Sequence, residues 1–396
     1  MTAGNQQKRK SDFLLIGDHI ISDNQLKVAV VFGTRPECIK LAPVIRAIDS
    51  YAGMESLVIS SSQHTDLLTP FLTSFDVQVS HDLKVMRAGQ SPNEVLSRVL
   101  SSLESLLCEE RPHLVLVQGD TTTALAGAIT AFHSGIPVGH VEAGLRTGDV
   151  RAPFPEEMNR RLISRIASYH FAATEENVQN LRRENISQAA IWLTGNPVVD
   201  ALHWIHENHS PSANISEIVS RYSGKKIIVL TTHRRESFGA VMRDNLRALA
   251  EFVENDGDSV VLFPVHPNPN VRKATHDVLD GASGFEIIDP LDYADFIHLL
   301  SAAWLIVSDS GGIQEEAPSL GKRLIVLRRN TERPEVVEAG VAKLIGDNPR
   351  LLKETLQNVE KDNDWSYAAT AKKDLYGSGD AADRIVAAIA SVMGTQ

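Results

Sequence analysis

Short apolar runs rich in β-branched residues alternate with longer amphipathic stretches along nearly the whole chain, and this alternation restricts the fold more than any other feature. KVAVVFG (27–33), SLVIS (56–60), HLVLVQGD (113–120) and PVGHVEAG (137–144) have the length and composition of buried strands. Between them, Ile39 to Ile48 and Thr122 to His133 carry apolar residues at helical spacing. Strand and helix in turn predict βαβ units and hence a parallel sheet covered by helices. A second series follows in KKIIVLTTH, SVVLFPVH, FEIIDP, WLIVSDSGG, RLIVLR and VAKLIG. The polar, proline-containing segment HENHSPSANISE separates the two series. The expected organisation is an N-terminal extension (1–25), a first doubly wound domain (26–205), a linker region (206–224) and a second domain (225–380). The amphipathic segment 381–396 forms a final helix available to pack back on the first domain.

A chain of 396 residues has material for two cores of ordinary size, so burying apolar surface is no obstacle. Its 39 Lys and Arg against 50 Asp and Glu give a net charge of -11, the wrong sign for a protein that mainly binds nucleic acid. An anionic small molecule would need a local basic pocket. No apolar run approaches the ~20 residues of a membrane span. The first apolar run is broken by Gly17 and Asp18, unlike the core of a signal peptide. Cys38 and Cys108 show neither metal-site nor redox-pair spacing, which fits a reducing cytoplasm, and both read as small core fillers.

In open α/β sheets ligands bind beyond the carboxyl ends of strands, where helix N-termini present unpaired amides to phosphates. Several chemically suggestive residues fall at such ends. Ser310, Gly311 and Gly312 follow the strand WLIV and open a helix; they suit a diphosphate cradle, or merely a capped turn. Glu315 and Glu316 near that helix start serve either as dipole partners or as a grip for ribose hydroxyls. Arg35 and Lys40, in VFGTRPECIK, stand at the start of the first helix, where two cations oppose the dipole and favour an anion site. The segment lacks the GxGxxG dinucleotide fingerprint. Arg333 offers a guanidinium fork to phosphate, or a surface ion pair with Glu332 or Glu335.

The acidic candidates are Asp120 in QGDTTT, Glu142 in HVEAGLR, and Glu156 with Glu157 in PFPEEMNRR. Carboxylates with separated pKa values are suited to removing a proton on one face and delivering one on the other. Asp120 reads equally as the N-cap of the helix that follows, and motif alone does not choose between Glu156 and Glu157. Glu142 emerges from an apolar strand, where burial without a partner is costly, so a functional role is favoured. His233 lies at a strand end beside Arg234 and Arg235, cations that favour its neutral form. No HExxH or CxxC motif is present, and no metal is expected.

Taken in order, FGTRPECIK, QGDTTT, GHVEAGLRTGD, PFPEEMNRR, HRRESFG, PVHPNPNVR, DSGGIQEEAPSLGK and NTERPE resemble the non-hydrolysing UDP-N-acetylglucosamine 2-epimerases across residues 27–392. The resemblance implies a GT-B architecture, two Rossmann-like domains around a cleft, and a homodimer without metal or nicotinamide cofactor. It implies catalytic roles for Asp120, Glu142 and Glu156, with His233 assisting departure of UDP. Arg35 and Lys40 match nucleotide contacts, Ser310, Gly311 and Gly312 the diphosphate cradle, Glu316 the ribose ligand and Arg333 a further substrate contact. Leu291 and Phe296 match the uracil pocket.

Some members of this family bind a second UDP-GlcNAc as an activator. Gln63, Glu156, Arg234 and His266 agree with that site, but Asp66 and Gly89 replace the Gln and Arg found there. Losing a phosphate-holding guanidinium weakens an anionic activator, so activation of that kind is not expected. Three rival readings share the cleft: a hydrolysing 2-epimerase, a GT-B glycosyltransferase and a nucleotide-sugar sensor. FGTRPE argues against the first, and three cleft carboxylates exceed what a sensor needs.

Overall fold

The computed structural model describes residues 25–61, 71–85, 87, 89–232 and 238–394. They form two wholly parallel sheets. The first contains β1 (Leu26–Phe32), β2 (Met54–Ser60), β3 (His81–Asp82), β4 (Leu114–Gln118), β5 (Val138–Ala143), β6 (Tyr169–Ala172) and β7 (Ile191–Leu193), in the order β3-β2-β1-β4-β5-β6-β7. The second contains β8 (Lys226–Thr231), β9 (Ser259–Pro264), β10 (Phe285–Ile288), β11 (Leu305–Ser308), β12 (Arg323–Val326) and β13 (Ala342–Leu344), in the order β10-β9-β8-β11-β12-β13. Each sheet reverses its winding beside its first strand, between β1 and β4 and between β8 and β11. That reversal opens a crevice at the strand carboxyl ends, the usual ligand position in such folds.

Central strands are apolar on both faces because helices cover both. Ala29, Val31, Val115 and Val117 pack on one side of the first sheet, and Val28, Val30, Leu114 and Leu116 on the other. The second group belongs to a core that continues through Val229, Ile306 and Leu324 of the second sheet. Helix Pro197–Asn208 lies within this shared region, against helices Arg35–Ser50, Tyr293–Ala302 and Gly311–Ser319. Aromatic contacts add to the junction: the rings of Phe71 and Phe75 lie 6.0 and 6.2 Å from that of Tyr293.

Helix Ala381–Met393 rests on helices Arg35–Ser50 and Pro197–Asn208. Its amino end is held by Asp200, whose carboxylate accepts from the amides of Ala381 (3.3 Å) and Ala382 (2.8 Å). The chain that builds the second sheet thereby returns to the first.

Several local expectations need correcting. The helix read as Ile39 to Ile48 starts at Arg35, with Pro36 in its first turn where a missing N–H costs nothing. β3, β6 and β7 carry no strong apolar run and were not foreseen; they gain their place by pairing beside stronger strands. Cys38 is buried as expected, but Cys108 is exposed on the outer face of helix Pro92–Glu110. The cap of helix Thr122–His133 is Thr121, whose hydroxyl accepts from the Ala124 amide at 3.0 Å, and not Asp120.

Candidate active site

Asp120 follows β4, and with the capping role taken by Thr121 its carboxylate points elsewhere. It accepts from Nε of Arg160 at 2.9 Å and from the same guanidinium's Nη2. Arg160 is buried on helix Glu156–Ile166 and also reaches Glu157 at 3.3 Å. Glu157 in turn accepts from Arg161 at 2.9 Å and from the Thr147 amide at 3.1 Å. The structure thus separates the acidic pair that motif alone left undivided: Glu157 is fully buried and holds the helix in place, while Glu156 stands half-buried at its first position. Asn159 closes the arrangement by donating to the Asp120 carbonyl at 2.9 Å.

Glu142 interrupts β5. The register between β5 and β6 shifts between Val141 and Ala143, and Glu142 has a φ of 62°. A long side chain in the left-handed region is uncommon and costs energy, and such residues cluster at functional sites. The bulge turns Glu142 toward Lys40, whose Nζ lies 2.6 Å away, and Gln118 also donates to its carboxylate.

Across the junction, Lys40 also lies 2.7 Å from Glu315, and Arg333 lies 2.6 Å from Glu315 and 3.4 Å from Glu142. Arg333 continues to Glu332 at 3.0 Å, which pairs with Arg328 at 2.9 Å. All six side chains are buried, and three positive charges match three negative ones. Lys40 and Glu142 come from the first sheet's half, the other four from the second. Arg333 therefore pairs with Glu332 as one sequence reading expected, but deep in the molecule and not on its surface. Gly311 makes room for it: a Cβ there would stand 3.0 Å from the Arg333 guanidinium. At Gly312 a Cβ would meet nothing closer than Ser310 Oγ at 3.9 Å, so close packing does not explain that glycine.

Burial and charge pull these groups apart. Burial alone would raise the pKa of Glu142, but Lys40 and Arg333 outweigh it and hold the carboxyl below the ordinary range. For Glu315 burial prevails and pushes it up to about 7. Burial would lower the pKa of Lys40, yet the carboxylates of Glu142 and Glu315 raise it, so the ammonium stays charged.

Glu316, one residue on, is buried and accepts from the Tyr293 hydroxyl at 3.1 Å; burial raises it to about 7. Arg35 is exposed, with its guanidinium 4.0 Å above the Phe71 ring. Ser310 caps helix Gly311–Ser319 without a side-chain bond to it, so its hydroxyl is not committed to the helix amides. Leu291 and Phe296 are half-buried against the shared core, beside the start of helix Tyr293–Ala302. His266 is exposed just beyond β9, where its Nδ1 accepts from the Asn268 amide at 3.1 Å. Gly89 is exposed with a φ of 75°. His233, Arg234, Gln63 and Asp66 lie outside the described residues.

Two groups that sequence reasoning did not single out complete the site. Glu37 is buried and accepts from the amides of Gly33 (3.0 Å) and Thr34 (2.7 Å) and from the Thr121 hydroxyl (2.7 Å). It ties the turn after β1 to the turn after β4, and burial raises it to about 7. The TxxE spacing of Thr34 and Glu37 was a readable sign of its place in a helix start. Arg160 was visible only as one of two adjacent arginines. Among the described residues no cluster of His, Cys, Asp and Glu has the arrangement of a metal site.

The family model for UDP-N-acetylglucosamine 2-epimerase matches residues 46–390. The UDP-N-acetylglucosamine 2-epimerase of Escherichia coli K12 is 44% identical over 369 residues, 92% of this chain and 98% of that protein. The crystal structure of the Neisseria meningitidis UDP-GlcNAc 2-epimerase bound to UDP-GlcNAc is 39% identical, with a TM-score of 0.85 over 92% of this chain and 100% of that one. A Streptomyces nogalater glycosyltransferase, 14% identical with a TM-score of 0.57 over 92% of this chain and 99% of its own, shares the GT-B fold alone. With a family model spanning most of the chain and relatives of this identity along their whole length, the chain belongs to the UDP-N-acetylglucosamine 2-epimerase family.

Proposed function

We propose that the chain interconverts UDP-GlcNAc and UDP-ManNAc without net hydrolysis, working as a homodimer and needing no metal or redox cofactor. The C2 proton passes to an enzyme carboxylate while the C1–O bond breaks, so the C2–H electron pair becomes the C1–C2 double bond and UDP leaves with the C1–O pair. Bound 2-acetamidoglucal then takes a proton at C2 on the opposite face, and UDP returns to C1. The C2 proton is only weakly acidic, so C–O cleavage leads and positive charge develops at C1. Carboxylates beside the sugar and cations around the diphosphate stabilise that charge distribution.

Asp120, Glu142 and Glu156 provide the proton-transfer groups. Arg35, Lys40 and Arg333, with Ser310, Gly311, Gly312 and His233, hold the diphosphate; Glu316 takes the ribose, and Leu291 and Phe296 border the uracil. The observation that carries the reading is the buried network of Lys40, Glu142, Glu315 and Arg333 at the junction of the two halves. It occurs in a chain 39% identical to a protein solved with UDP-GlcNAc bound. As built, Lys40 and Arg333 already face carboxylates, so a diphosphate competes for cations that also restrain the catalytic groups. That coupling suits an elimination in which charge moves onto UDP as the proton leaves.

Product analysis tests the proposal. Incubated with UDP-GlcNAc, the protein is expected to yield a stable mixture with UDP-ManNAc. Stoichiometric free ManNAc and UDP would instead establish a hydrolysing enzyme, and an unchanged sugar would remove both readings.

A further inference from the structure

The mechanism uses Glu142 but leaves unexplained why a second buried carboxylate, from the other half of the molecule, competes for the same two cations. Nζ of Lys40 stands between them, 2.6 Å from Glu142 and 2.7 Å from Glu315. Arg333 is unequally shared, with Nε 2.6 Å from Glu315 and Nη2 3.4 Å from Glu142. Glu315 thus takes the nearer contact with Arg333 and an equal contact with Lys40. A residue present only to neutralise Arg333 would not need Lys40, which Glu142 already pairs.

We propose that Glu315 is a positioning residue for Glu142: by drawing Lys40 and Arg333 toward itself it keeps Glu142 basic enough to exchange a proton with C2. The inference rests on the catalytic role proposed for Glu142. When Glu315 is charged, the cations are shared and Glu142 is the stronger base. When Glu315 is neutral, both cations act on Glu142 alone, and its carboxylate becomes a weaker base. Because Lys40 and Glu142 belong to the first half and Glu315 and Arg333 to the second, this setting exists only while the two halves are in contact. Burial pushes Glu315 up to about 7. The other charged or titratable groups felt at this position are Glu316 and Glu335 on its own half, with the hydroxyls of Tyr293 and Tyr376.

The test is the pH dependence of kcat/KM in Glu315→Gln, which removes the charge at nearly constant volume. The limb of kcat/KM that falls as Glu315 is neutralised, near 7, is expected to be lost, with kcat above it reduced roughly tenfold and the Kd for UDP unchanged or smaller. A purely structural role would lower kcat and leave the limb in place, and that result would overturn the inference. If Glu315→Gln does not fold, Glu315→Asp replaces it, since the shorter side chain keeps the charge but loosens both contacts. A displaced limb then supports the inference and an unmoved one overturns it. C2 exchange by the unaltered protein is the separate control: exchange with an unmoved limb removes only this inference, whereas absence of exchange removes the proposed function with it.

Discussion

The two halves of the molecule share a winding pattern but place different chemistry at its crevice. Beyond β1, β4 and β5 the first half presents Arg35, Lys40, Asp120 and Glu142, held by side-chain networks that run through Glu37 and Arg160. Beyond β11 the second half presents a helix N-terminus with two glycines, Gly311 and Gly312, followed by the buried pair Glu315 and Glu316. In the proposed function the first half handles the proton and, through Arg35 and Lys40, shares the diphosphate with the second half, which takes the rest of the nucleotide. Topology determined where a ligand could bind, and the side chains at equivalent strand ends determined what each end does. The halves depend on each other where Lys40, Glu142, Glu315 and Arg333 meet.

Breaking that junction is expected to have the largest effect. Arg333→Ala leaves Glu315 and Glu142 with one cation fewer in a buried setting, a change that costs about 3–5 kcal/mol when a buried pair loses a partner. Urea denaturation should show this loss; a change below about 1 kcal/mol would mean that water reaches the network and screens it. Next come the first-half carboxylates. Asp120→Asn, Glu142→Gln and Glu156→Gln are each expected to lower turnover by at least ~100-fold with UDP binding largely retained, measured by steady-state kinetics and calorimetry. Near-normal turnover in all three would end the division of labour between the halves.

The smallest effect concerns Glu37, which joins two strand ends within the first half. Its pKa in the folded protein is about 7 against an ordinary 4.5, so folding favours its protonated form. Its contribution to stability is fully present below about 4.5 and is lost as pH rises through 7, by at most ~3 kcal/mol. Comparing urea midpoints at pH 5 and pH 8 should therefore show a smaller fall in Glu37→Gln than in the unaltered protein. An identical fall in both would contradict this.

Much of the architecture was legible because the fold depends on patterns that short segments carry. Runs such as KVAVVFG and HLVLVQGD became β1 and β4, while YHFA and IWL were missed because pairing in the sheet, and not local composition, makes them strands. The site was legible in its parts and less so in its connections. Ordered motifs pointed to Lys40, Glu142, Glu316 and Arg333, but no sequence spacing shows that Lys40 and Glu315 share a buried contact across 275 positions. Nor could motif separate Glu156 from Glu157; the full burial of Glu157 and its salt bridges to Arg160 and Arg161 did. Asp120 escaped its alternative reading as an N-cap only because Thr121 occupies that position.

Transfer of the C2 proton to a carboxylate of the first half is the central claim, and isotope exchange examines it directly. Incubated with UDP-GlcNAc in deuterated water and followed by proton NMR, the protein is expected to replace hydrogen by deuterium at C2 in both UDP-GlcNAc and UDP-ManNAc. Formation of UDP-ManNAc that retains the original hydrogen at C2, with no deuterium entering from solvent, would contradict it.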